Sequence, residues 1–225
     1  MKLLTQKNKE LLKYSRLGGF GESCDLRAIE PTENTGYIVE GYAIIYEQIV
    51  SIGGWFNEVV KRGALDGADL TDVPLFIHHN GESIPLARSR RNSTNSTLKL
   101  TPDSNGLHFR AELDIDNNAD AKSLYSSIQR GDISGMSYSF RVQEEKWLNV
   151  EEPIPTREIY KFKKIGEISA LWSPAYDGTS IEARDRELEN SDKMALDNAR
   201  STLDNEKSEL EALKLKIQIK LGGIK

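Results

Sequence analysis

The sequence predicts an α+β chain that is mainly β: a closed or nearly closed β-barrel with covering helices, plus a long C-terminal helix. Three observations carry this expectation. From Cys24 to about Arg184, short apolar runs rich in β-branched and aromatic residues are separated by turn residues. Within that region one stretch, Asn118 to Arg130, has helical spacing. From Glu182 to Lys214 glycine and proline are absent, and Glu, Lys, Leu and Ala dominate. Many short strands with one or two embedded helices suggest a closed sheet with helical cover.

The elements follow in order. Residues 1–20 are polar and run into Gly18, Gly19 and Gly21, which reads as a flexible or short helical leader and a joint. Residues 21–182 form the predicted barrel domain. Tyr37 to Tyr46 and Asp72 to His79 read as strands. Leu98–Leu100 and Leu107–Leu113 flank Pro102-Asp103-Ser104-Asn105-Gly106, a hairpin with suitable turn chemistry. Ala121, Leu124 and Ile128 mark one face of the predicted helix, and Gly131 suits its C-terminal stop. Met136, Tyr138, Phe140 and Val142 then alternate with Ser137, Ser139 and Arg141, and a final strand pair is expected over Glu158 to Leu171. In residues 183–225, Leu196, Leu203, Leu210 and Ile217 recur every seven residues, with Ala199 and Leu213 at intermediate positions. Glu206 and Lys220 interrupt the seam, so a long helix with an imperfect coiled-coil face is predicted.

Composition narrows function. The chain has 225 residues, 38% hydrophobic and 29% charged, with a net charge of -5 and a pI near 5.4. That balance argues against coating nucleic acid, which wants a basic surface. Arg88, Arg90 and Arg91 form a local basic cluster of the kind usually found in a solvated loop. Cys24 is the only cysteine, so no intramolecular disulfide is possible and a reducing compartment is expected. Its surroundings do not suit a catalytic thiol. No apolar run approaches the length of a membrane span, so a cytosolic protein is expected.

The residues able to do chemistry are few. His78, His79 and His108 are the only histidines. His108, between apolar neighbours, reads as a sheet-surface residue. His78 and His79 end an apolar run, where loops begin and catalytic groups are often held. As adjacent strand residues they point to opposite faces, so at most one faces a given site. The stretch Gly131-Asp132-Ile133-Ser134-Gly135-Met136-Ser137-Tyr138-Ser139 leads a glycine-rich turn into a strand whose polar face carries two serines. A serine hydroxyl needs a base to become a nucleophile, and a histidine from another strand can supply one. Either Ser137 or Ser139 qualifies. Glu167 and Asp132 are the carboxylates placed to orient an imidazole. Pairing of Glu167 with Lys163, Lys164 or Arg141 is the purely structural alternative. With three histidines, one cysteine and no H-E-x-x-H, neither a metal nor a cofactor is expected.

Taken as an ordered set, these segments resemble the prohead (capsid maturation) proteases of tailed phages, which are related to the herpesvirus assemblin proteases. Gly41-Tyr42-Ala43 matches the family's early strand. Phe56-Asn57-Glu58-Val59-Val60-Lys61-Arg62-Gly63-Ala64-Leu65 is similar to its F-x-E-x-(I/V)-x-x-G-A-(F/L) element. His79-Asn80 resembles the H-D or H-N at a strand end, and Asp103 to Phe109 the D-x-x-G-L-x-(F/V) hairpin. RGDISGMSYSF, from Arg130 to Phe140, resembles the signature R-G-D-(I/V)-x-G-M-S-(F/Y)-x-F. Glu167-Ile168-Ser169 and Ser173-Pro174-Ala175-Tyr176 resemble the closing E-(V/I)-S and P-A elements.

The resemblance spans about Gly41 to Glu182. It implies a serine endopeptidase on a modified barrel, with Ser137 as nucleophile and His79 as base. The herpesvirus enzymes use a second histidine as third member. No histidine follows His108 here, and Glu167 is the substitute in the matching position. Ser139 stands where the family commonly has glycine. The resemblance further implies cleavage of scaffold or capsid precursor proteins, and of the enzyme itself, inside the assembling prohead in the host cytoplasm. The expected partners are those precursors and further copies of the chain, with no membrane and no direct nucleic-acid role. The competing reading is a non-catalytic scaffold module, or a fused protease and scaffold, acting through the C-terminal coiled coil.

Overall fold

The computed structural model describes residues 15–19, 24–33, 35–52, 54–172 and 185–222. The strands are β1 (Ser15–Gly19), β2 (Arg27–Ile29), β3 (Tyr37–Ile45), β4 (Ile49–Ile52), β5 (Phe56–Val60), β6 (Pro74–Ile77), β7 (Ala87–Arg88), β8 (Leu98–Pro102), β9 (Gly106–Leu113), β10 (Gly135–Leu148) and β11 (Thr156–Leu171). The helices are α1 (Ala119–Arg130) and α2 (Asp185–Gly222).

Period-2 patterning builds the smaller sheet, ordered β2-β3-β9-β8 and antiparallel throughout. Along β9, Leu107, Phe109, Ala111 and Leu113 are buried, while Arg110 and Glu112 point away. Leu98 and Leu100 of β8 add to the same inner face. On the outer face Glu40 accepts from Arg27 and Arg110, which compensates a carboxylate that is only 8% exposed. The second sheet runs β1-β10-β11-β5-β4, with β6 also on β11 and β7 on β6. Met136, Tyr138, Phe140, Ile165 and Ile168 from this sheet share one apolar core with the inner face of the first.

The expected barrel closure is not found. Among the described residues no strand of one sheet is hydrogen-bonded to a strand of the other. The outer edge of β11 is divided: β5 pairs in parallel with Thr156 to Ile159, and β6 in parallel with Ile168 to Ala170. A barrel needs each edge to meet another edge. Here the sheet forks at β11 and ends in the short strands β4 and β7. The "final strand pair" is likewise one 16-residue strand, β11, paired with β10 across several register shifts. Ser15–Gly19, read from sequence as part of the leader and joint, form β1 and pair antiparallel with β10.

The predicted helices are present. Asn118 caps α1 by accepting from the amides of Asp120 and Ala121. Gly131, at φ 80°, closes the helix and donates to Ile128 and Ser127 carbonyls. Ala121, Leu124, Tyr125 and Ile128 face the core, and the Tyr125 hydroxyl donates to Ile29 O at the end of β2. Helix α2 docks through its first half. Asp192 and Leu196 are buried, and the Arg200 guanidinium donates to Val150 O at 3.1 Å. Lys193 lies 4.3 Å from the Trp55 ring centroid.

The anchor of α2 is a buried charge cluster. Arg157 on β11 donates to Glu58 at 3.2 Å, to Asp192 at 3.0 Å and to Glu145 at 2.8 Å. Its guanidinium also lies 5.7 Å from the ring centroids of Phe140 and Trp147. One cation thus ties three strands and a helix together, and leaving its buried partners unpaired costs on the order of 3–5 kcal/mol. Burial pushes the Glu58 carboxyl well above the usual range, against the opposing pull of Arg157, and Asp192 and Glu145 push the same way as burial. Glu58 therefore holds a proton more tightly folded than unfolded. Stability from this group is present at low pH and lost as pH rises through its raised value. In denaturant titrations from about pH 5 to 8, above the ordinary carboxylate value, Glu58→Gln should show a flatter fall in midpoint than wild type.

Candidate active site

Three residues predicted from sequence meet at one end of the larger sheet. Strands β10 and β11 pair without interruption from Gly135↔Leu171 to Ser139↔Glu167, with Ser137 opposite Ser169. Ser137, Ser139, Glu167 and Ser169 consequently share one face. Gly131 ends α1 and turns the chain into β10, which sets where Ser137 begins that face.

The imidazole comes from the turn after β6. Strand β6 pairs in parallel with β11 up to Ile77↔Ala170, and the chain then turns sharply. His78 and His79 are not strand residues, as the sequence suggested, but occupy this turn at φ 49° and 57°. Left-handed backbone at a residue other than glycine costs about 1–3 kcal/mol, and it persists where surroundings impose it. Here the His78 amide donates to Ala170 O at 3.1 Å, and that of Asn80 to Ile77 O at 3.0 Å. The His79 amide donates to Ser169 Oγ at 3.2 Å. The turn swings the His79 ring over the polar face of β10 and β11.

The imidazole bridges the other two groups. Its Nε2 lies 2.6 Å from Ser137 Oγ, and its Nδ1 is hydrogen-bonded to Glu167 Oε1. A carboxylate can only accept, so Nδ1 carries the proton toward Glu167, and Nε2 is left to accept from the Ser137 hydroxyl. The side chains of His79 and Glu167 are 8% and 14% exposed, and Ser137 is 3% exposed. Little water competes with these bonds, so each is stronger than it would be at the surface. The arrangement can take a proton from Ser137 as its oxygen attacks an electrophile, and Glu167 offsets the charge that develops on the ring.

The remaining candidates are elsewhere. Asp132 pairs with Arg130, away from the imidazole. Ser139 sits opposite Glu167 but is not the serine that His79 reaches. His78 is exposed and packs edge-on against Trp172. His108 packs against Tyr42 on the outer face of the smaller sheet. Cys24 is fully buried, and burial pushes its thiol up, which leaves it unreactive. Arg88 is paired with Asp72. The segment Ser173-Pro174-Ala175-Tyr176 lies outside the described residues. Among the described residues no cluster of three or more His, Cys, Asp or Glu could hold a metal, and no helix is long and apolar enough to cross a membrane.

A family model described as caudovirus prohead serine protease matches residues 22–194. Among solved structures, that of the bacteriophage T4 capsid assembly protease, gp21, is similar, with 15% identity and a TM-score of 0.45 over 72% of this chain and 99% of that chain. No curated protein matches the sequence. The geometry makes a chemical prediction of its own. Glu167→Gln keeps the shape of the side chain but favours the wrong imidazole tautomer. It should slow phosphonylation of Ser137 by a fluorophosphonate by about 100-fold or more, with the thermal midpoint little changed. Equal rates in the two proteins would remove Glu167 from the relay.

Proposed function

The chain belongs to the caudovirus prohead serine protease family, and from that premise we propose that Ser137, His79 and Glu167 are the catalytic triad of a protease that trims capsid and scaffold precursors during head maturation. As a member of this family the chain is a serine protease of capsid maturation. The non-catalytic scaffold alternative is thereby set aside. The single observation that carries the triad is the imidazole of His79, which contacts Ser137 through Nε2 and Glu167 through Nδ1.

In this reading His79 accepts the Ser137 proton while Oγ adds to the scissile carbonyl. The protonated ring then gives that proton to the departing amine, leaving an acyl-enzyme. Water, deprotonated by the same ring, releases the acyl group. Glu167 stays ionised throughout and holds the tautomer. The work site is the assembling capsid in the host cytoplasm, and the enzyme's own chain is among its substrates.

A second part of the reading concerns assembly. Beyond its docked half, α2 carries Leu210, Leu213 and Ile217, each about half exposed, along one stripe. Glu209 and Lys214 flank that stripe at positions that would face each other in a parallel pair. Homo-oligomerisation through this stripe suits a helix of 38 residues, about 57 Å long.

Two experiments test these readings. Co-expression with the capsid or scaffold precursor, read by intact mass, should show trimming by wild type and none by Ser137→Ala. Trimming that persists in Ser137→Ala would sink the assignment of the nucleophile. For the helix, light scattering should show oligomers of wild type and monomers of the Leu210→Lys, Ile217→Lys double variant. A monomeric wild type overturns pairing through α2.

A further inference from the structure

We infer that Ser169 is a positioning residue for His79: its hydroxyl oxygen holds the backbone of the base in the turn that presents the imidazole to Ser137. The inference rests on the triad reading above and adds a residue that touches none of the reacting atoms.

The argument begins with the turn. His78 and His79 are both left-handed, and neither is a glycine. Four amide donations define the turn. Those of His78, Asn80 and Gly81 go to the backbone oxygens of Ala170, Ile77 and His79. The fourth, from His79 itself, goes to Ser169 Oγ at 3.2 Å. It is the one bond of the four that a side-chain change can remove, and it belongs to the residue whose ring does the chemistry.

Ser169 is also placed where the elements of the site meet. It is fully buried on β11, opposite Ser137 of β10 in the antiparallel register and beside Phe76 of β6 in the parallel one. One hydroxyl therefore ties the base's backbone to the strand directly paired with that of the nucleophile. For filling space alone, a fully buried serine serves no better than alanine would. Its oxygen has a specific use, because a buried amide without an acceptor is strongly disfavoured. Removal of that acceptor should let the turn drift. The 2.6 Å approach of Nε2 to Ser137 Oγ then lengthens, and displacements near 1 Å are enough to cost large factors in rate.

The test uses the full chain and a fluorophosphonate probe, so no natural substrate is required. Wild type, Ser169→Ala, Ser169→Thr and Ser137→Ala are compared for limiting labelling rate, half-saturating probe concentration and thermal midpoint. For Ser169→Ala the limiting rate should fall by about 10- to 100-fold, the scale expected of a misplaced base, at unchanged half-saturation and with the protein folded. Ser169→Thr, which keeps the oxygen, should recover most of that rate. An unchanged rate in Ser169→Ala with Ser137→Ala unlabelled would overturn the positioning role and leave the triad standing. So would equal losses in the Ala and Thr variants, because packing would then explain both. Undiminished labelling of Ser137→Ala would overturn the triad reading and this inference together.

Discussion

The pairing of β10 with β11 is the constraint on which the rest of the structure depends. Side chains on a strand alternate between faces, so a slip of one residue would send Ser137 into the core and Met136 onto the polar face. The register holds without interruption from Gly135 to Ser139, and the shifts begin only after Ser139. The irregular part of the ladder is thus kept away from Ser137. Met136 and Tyr138, both buried, lock the same register from the opposite face. The hydrophobic core and the catalytic geometry are two sides of one set of strand pairs.

The ends of β11 take different work. Its C-terminal part pairs with β6 and carries Glu167 and Ser169. Its N-terminal part pairs with β5 and carries Arg157, which gathers Glu58, Glu145 and Asp192. Buried charge is used in both places, with opposite requirements. At Arg157 a permanent cation is surrounded by acidic side chains and fixes a helix to the sheet. At His79 a single carboxylate sits on Nδ1 and a hydroxyl on Nε2, the arrangement the proposed triad needs for a ring that is neutral at rest and charged only in passing.

Much of this was legible in the sequence, for identifiable reasons. The alternation in Leu107 to Leu113 and in Met136 to Phe140 states which face is buried, and Asn118 and Gly131 state where a helix starts and stops. Ser137, His79 and Glu167 came from ordered motifs, and the structure brings them within hydrogen-bond reach. Local signals do not reach tertiary decisions. Nothing in Ile77-His78-His79-Asn80 announces two left-handed residues, because the turn is imposed by Ala170 O and Ser169 Oγ from a distant strand. Barrel closure was expected because strand count is visible in sequence and edge partners are not. Arg157 was missed because a lone arginine in a strand looks like a surface residue until its three carboxylates are assembled from separate elements. Ser169 was quoted in a motif without a role, since an acceptor for a backbone amide has no spacing signature.

One further consequence follows from β1. Ser15–Gly19 lie along β10 with Gly18 opposite Ser137, while β11 lies along its other side. Strand β10 then has no open edge at Ser137. While β1 stays in place, a polypeptide cannot reach Ser137 by pairing with β10 and must come over the polar face, on the side of the His79 imidazole.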